Sequence, residues 1–156
     1  MNTTAAIATS VSDSAISTES RPQKRGLRYL TATVRIVPGL CLFVFGLNGF
    51  LNFIPQPTTP LPEGAVAFAM ALVKTGYMMQ IIAATQLIAG LLLLINRFVP
   101  LALALLAPFI VNSIAFHLFL EPSGLPTASV LLAAEVYLAW AYRAAYRPML
   151  AARVSV

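Results

Sequence analysis

The chain has 156 residues, of which 59% are hydrophobic and 10% charged, with a net charge of +5. Its mean hydropathy of +0.83, against a soluble average of about a quarter charged residues, excludes a soluble enzyme, a nucleic-acid-binding domain and a disulfide-stapled secreted module. The single cysteine, Cys41, excludes an intrachain disulfide or a CxxC redox pair; it lies inside an apolar run and reads as a buried small hydrophobe.

Residues 1–25 are rich in Ser, Thr and Ala and carry no aromatic residue. Such a segment buries too little apolar surface to offset its ordering entropy and reads as a disordered tail. It is not read as a secretory signal, because the basic residues come after it and the next apolar run is of full spanning length. Arg21, Lys24, Arg25, Arg28 and Arg35 form a juxtamembrane basic cluster suited to an anionic inner leaflet. Residues 26–150 form the membrane domain, and residues 151–156 a short C-terminal tail.

Four apolar runs of spanning length come next: about Val34 to Ile54, Tyr77 to Ile95, Val99 to Leu120 and Thr127 to Tyr146. Pro55, Pro57, Pro60 and Pro62 end the first run, since prolines at this density cannot stay helical. Glu63 to Lys74 is too short to cross. Its acidic start, basic end and following Gly76 predict a capped helix at the interface. The expected fold is therefore all-α, a membrane-embedded up-down four-helix bundle with one short interfacial helix between spans one and two. With the N-terminus inside, nine basic residues fall on the cytoplasmic side and Lys74 alone outside, so both termini are expected to be cytoplasmic in a plasma membrane. Tyr137, Trp140, Tyr142 and Tyr146 fall in the inner half of span four, where an aromatic belt is expected.

Polar side chains inside a bilayer are costly, so they carry the most information. Glu135 and Gln86 fall near the centres of their runs, with Asn48 and Asn112 about 5–6 Å outward of that level. Asn52, Gln80 and His117 extend polarity toward the outer side. These seven residues make up the expected ligand-binding set: Glu135 and Gln86 on a polar head, Asn48 and Asn112 positioning it, and an opening toward the outside. Pro108 is expected to kink span three one turn before Asn112, and Ala83 and Gly90 to provide a small-residue face on span two. The structural alternative for the amides and the carboxyl is interhelical hydrogen bonding that glues the bundle. His117 reads as an interfacial side chain with no second His, Cys or carboxylate at metal spacing, so no metal is expected.

Several local motifs carry a resemblance. Gly46-Leu47-Asn48-Gly49-Phe50, the Pro-rich loop, Thr75-Gly76-Tyr77, Gly90-Leu91-Leu92-Leu93-Leu94 and Asn96-Arg97-Phe98-Val99-Pro100-Leu101 occur in that order. Ala107-Pro108, Val111-Asn112, Phe116-His117 and Leu138-Ala139-Trp140-Ala141-Tyr142-Arg143 continue it. The ordered set resembles the DoxX family of small bacterial membrane proteins over nearly everything after about Arg28. The resemblance implies a four-helix membrane fold. It also implies an association with membrane redox chemistry, since some relatives accompany thiosulfate-to-quinone transfer, quinol oxidases or oxidative-stress complexes. Family members usually carry Glu at the position of Gln86, so either Glu135 substitutes for that carboxylate or the activity is reduced or different.

Three function classes are compatible with these features. The first is an accessory subunit or small-amphiphile binder, with a quinone or lipid as bound ligand, in contact with membrane lipids, a membrane oxidoreductase complex or a second copy of itself, and not with nucleic acid. The second is a proton-coupled transporter, which needs an ionisable midplane residue such as Glu135 and two alternate openings. The third is a structural scaffold. No cofactor-binding motif is present, so the isolated chain is not expected to be an enzyme.

Overall fold

A computed structural model describes residues 21–55 and 59–146. The expected tail over residues 1–25 falls mostly outside them, as do Pro57, Arg147, Arg153 and the C-terminal tail. Every element is helical among the described residues: α1 (Arg21–Leu51), α2 (Glu63–Lys74), α3 (Met78–Leu94), α4 (Val99–Phe119), a 3-10 turn (Pro122–Gly124), α5 (Leu125–Ala141) and α6 (Arg143–Tyr146). The chain divides into two compact units, Met1–Ala32 and Thr33–Val156, and the division falls within α1. In the first unit, Thr31 Oγ1 donates to the Leu27 carbonyl at 2.9 Å, one turn back. The second unit holds the core and all the polar residues of the expected ligand-binding set.

Three helical segments are long and apolar enough to cross a membrane: Gly26–Leu51, Val99–Phe119 and Pro122–Ala141. The pair α2 and α3, bent by 93° at the break, makes a fourth if it is one broken span. By itself α3 has 17 residues, about 25 Å at 1.5 Å per residue, slightly under the hydrocarbon thickness. The bounds of α2 match those read from its charged ends, whereas α1 begins well before Val34 and ends at Leu51 rather than Ile54. The basic cluster does not stop the helix at its start, because Arg and Lys are good helix formers.

The core is arranged around α4, whose Val99, Ala102, Leu103, Leu106 and Ile110 are buried. Leu42 of α1, Ala89 and Leu93 of α3 and Leu138 of α5 complete the same cluster. The helix runs without a break through Pro108. Between α1 and α3 the backbones approach closely. A Cβ at Gly90 would lie 2.8 Å from the Gly39 carbonyl and 2.9 Å from Phe43 Cα. One at Gly46 would lie 2.7 Å from Leu87 Cα and 2.8 Å from the Ala83 carbonyl. The small-residue face expected on span two is thus where α1 docks, and packing at this range is the main source of helix association in lipid. Cys41 is a correction: it is exposed, on the side of α1 away from Leu42 and Gly46.

Gly90→Val should open the α1–α3 contact and cost about 1–3 kcal/mol, as overpacking does. Ile88→Ala, on the exposed side of the same helix, should change stability far less. Thermal unfolding in lipid nanodiscs distinguishes the two, and equal losses would contradict the contact.

Candidate functional site

Helix ends are the first places where polar side chains are needed, since each leaves four backbone groups without intrahelical partners. At the end of α1, Asn52 takes the left-handed conformation (φ 50°), which Asn tolerates better than most residues. Its N–H donates to the Asn48 carbonyl at 2.8 Å. The Asn48 side-chain oxygen accepts from the Ile54 N–H at 2.7 Å. Asn48 therefore sits in the last turn of α1, about 14 Å from the middle of the segment Gly26–Leu51. Asn52 is exposed.

The corner between α2 and α3 is closed by Thr75, which stands out in the sequence only as part of a motif. Its hydroxyl donates to the Leu72 carbonyl at 2.6 Å and accepts from the Met78 N–H at 3.0 Å. Gly76 comes next with φ +77°, a conformation that costs glycine little. One residue thus ends one helix and caps the next. Gln80 lies in the first turn of α3 and is exposed.

The C-terminus of α3 is the most fully satisfied end. Asn96 has φ 56°; its N–H donates to Leu93 O at 3.3 Å, and the Arg97 N–H donates to Leu92 O at 3.2 Å. This is the Schellman pattern. The Arg35 guanidinium, buried at 8% exposure, donates to the Leu93 carbonyl and, at 3.4 Å, to that of Leu94. A cation at the negative end of a helix is favourable. Arg35 is therefore a buried clamp between α1 and α3, and not a member of the exposed juxtamembrane cluster in which the sequence pattern places it. Nearby, Tyr142 Oη donates to Asn96 Oδ1 at 3.3 Å, and Tyr146 Oη donates to the Pro100 carbonyl at 2.9 Å. Arg143 stacks over Trp140, 4.6 Å from its ring centroid.

His117 has a carboxylate partner after all. Its Nδ1 lies 3.0 Å from Glu121 Oε2 and 2.8 Å from the Glu121 carbonyl, one turn along the chain. The same carboxylate caps the 3-10 turn, accepting from the Ser123 and Gly124 N–H groups at 3.2 and 3.1 Å and from the Ser123 hydroxyl. Gly124 lies against the imidazole ring so closely that any Cβ there would overlap it. Phe116 stands edge-on to His117, and Phe68 of α2 packs on Phe116 with centroids 5.6 Å apart. The Ser123 hydroxyl and the other donors hold the Glu121 carboxyl below its ordinary pKa, although burial opposes them. His117 and Ser123 are not arranged as a base and its nucleophile; both bond to the carboxylate that stands between them. No group of three metal-ligating side chains occurs among the described residues.

Gln86, Asn112 and Glu135 each fall near the middle of their own helices, α3, α4 and α5, but they do not share a face. Gln86 is partly buried at the centre of α3, three residues before buried Ala89 and seven before buried Leu93. Glu135 is partly buried on α5, seven residues after Ala128 and three before Leu138, both buried. It thus lies on the packed side of the helix. Neither Gln86 nor Glu135 makes a hydrogen bond among the described residues. No fully buried polar atom among them lacks a partner, so both keep polar atoms accessible. Asn112 is exposed on α4, away from the buried side of that helix.

Comparison of the chain with protein-family models, with curated proteins and with solved structures finds no match.

A lowered folded-state pKa for Glu121 means that its ionised form stabilises the fold above the ordinary carboxylate range and that this contribution is lost as pH falls through the lowered value. Wild type should therefore exceed Glu121→Gln in stability at neutral pH, and the gap should close under acid. Unfolding measured from pH 7 downward checks this; a gap independent of pH would contradict it.

Proposed function

We propose that the chain is a DoxX-like multi-pass protein of the bacterial inner membrane that binds a small quinone-like amphiphile as an accessory subunit of membrane redox chemistry. In this reading the spans form an up-down four-helix bundle, with α2 at the outer interface and both termini cytoplasmic. The apolar helices, the nine-to-one distribution of basic residues and the ordered family motifs support it.

The observation that carries the ligand is the pair Gln86 and Glu135, set on packed helix faces at mid-depth without a hydrogen-bond partner among the described residues. Polar groups in a membrane interior are rarely left so unless they serve a ligand, a proton or a partner. Glu135 takes the polar head, Gln86 offers a donor and an acceptor, and leucine-rich walls hold the tail. Asn48 and His117 have side-chain bonds used locally at helix ends, which supports a structural role for those two, while Asn52, Gln80 and Asn112 are exposed. The candidate set thereby narrows from seven residues to Gln86 and Glu135.

Mass spectrometry of amphiphiles that co-purify in nanodiscs tests this. Retention should fall about tenfold or more in Glu135→Leu, the scale of one hydrogen bond to a charged or strongly polar group, with Glu135→Gln intermediate. Identical profiles in equally folded proteins would remove Glu135 from any ligand site.

A further inference from the structure

One face of α4 has no partner among the described residues. Its buried residues lie together, and α3 and α5 pack on that side. The opposite side carries Leu101, Leu105, Pro108, Asn112, Ala115 and Phe119, spaced 4-3-4-3-4 along the whole helix. All are exposed except Ala115, which is half-buried; Phe119 reaches 82% exposure. Alternating intervals of four and three define the seam of a paired helix. Among soluble proteins an exposed apolar stripe would already need a cover; in a bilayer, lipid covers it without difficulty. The polar group on this seam is therefore the informative feature.

Asn112 lies three residues from the middle of Val99–Phe119, about 4.5 Å from mid-span. Its amide makes no hydrogen bond among the described residues, and lipid tails offer none. One turn back on the same seam, Pro108 has no N–H to give the Ala104 carbonyl, which leaves that acceptor without its usual donor about 12 Å along the helix from Asn112. The seam thus carries unmet hydrogen-bonding capacity where the bilayer is driest.

We propose that this seam is the contact surface of a symmetric homodimer in which Asn112 pairs with its own counterpart in a second copy. Two copies inserted with the same topology are related by a two-fold axis along the membrane normal. Their α4 helices then run parallel, and residues at the axis meet themselves. A primary amide is self-complementary, since each offers one acceptor and two donors; two amides can exchange hydrogen bonds where two carboxylates or two ammonium groups would repel. No Asp, Glu, Lys or Arg occurs between Val99 and Phe119, so nothing on the helix opposes self-association. Pro108 and Ala115 flank Asn112 with small side chains, which lets the backbones approach. A lone Asn on such a seam fixes register and favours two strands in parallel pairs. The dimer leaves the packed faces bearing Gln86 and Glu135 uninvolved, so it stands independently of the ligand reading.

The full chain is placed in lipid vesicles and its dimer fraction is measured by single-molecule photobleaching across protein-to-lipid ratios. Wild type should show a concentration-dependent dimer, and Asn112→Leu should weaken it about 3- to 30-fold, the range of interhelical hydrogen bonds in membranes. In a Cys41→Ser background, Leu105→Cys should cross-link to itself on oxidation, whereas Val130→Cys, 70% exposed on α5, should not. This second variant leaves Asn112 in place and separates loss of the contact from loss of the fold. Monomers at all ratios, equal cross-linking at both positions, an unchanged affinity in Asn112→Leu, or cross-linking of Leu105→Cys to another protein instead would each overturn the proposal.

Discussion

The fold depends on satisfying the backbone groups that helix ends leave without intrahelical partners. An unpaired carbonyl or N–H in an apolar medium costs several kcal/mol, far more than any single packing contact returns. The last carbonyls of α3 show the solution at its most complete: Leu91 to Leu94 all find donors, from the Schellman turn and from the Arg35 guanidinium. Arg35 belongs to α1, so the device that closes α3 also fixes which helix lies beside it. Asn48 at the end of α1, Thr75 at the corner and Glu121 before α5 solve the same problem locally.

Close packing builds on that arrangement. With Arg35 tied to Leu93, Gly39, Gly46 and Gly90 bring α1 onto α3 at backbone contact distance, and Leu42 enters the cluster built on α4. At the other end, α2 lies by Phe68 against Phe116, and the imidazole of His117 is held between Gly124 and the Glu121 carboxylate. Near the middles of their helices, Gln86 and Glu135 lie on packed faces and Asn112 on an outward one. The proposed ligand binding and the proposed self-association thus draw on different faces.

Much of the fold was legible in local patterns. Apolar runs gave the helices, prolines the break after α1, and the Glu63–Lys74 charges the limits of α2, because each depends on neighbours along the chain. The site was less legible. Arg35 looked like one more basic residue beside a membrane, and its role requires a carbonyl 58 positions away. Cys41 looked buried because its run is apolar, but an apolar helix in lipid does not bury every side. Depth alone assigns Asn48 and His117 to a ligand, whereas their side-chain hydrogen bonds go to helix termini. A His and a Glu four residues apart, His117 and Glu121, were a readable signal for their pairing.

The proposed architecture rests on α3 crossing the membrane, which gives four passages and places the α2–α3 corner and the α3–α4 turn on opposite sides. Single cysteines at Lys74, Ser123, Arg97 and Arg143, each in a Cys41→Ser chain, can be labelled in intact cells with a membrane-impermeant maleimide. Labelling is expected at 74 and 123 only, with 97 and 143 reacting after the membrane is opened. Labelling of 74 and 97 from the same side would make α2 and α3 a re-entrant pair and contradict the four-passage fold.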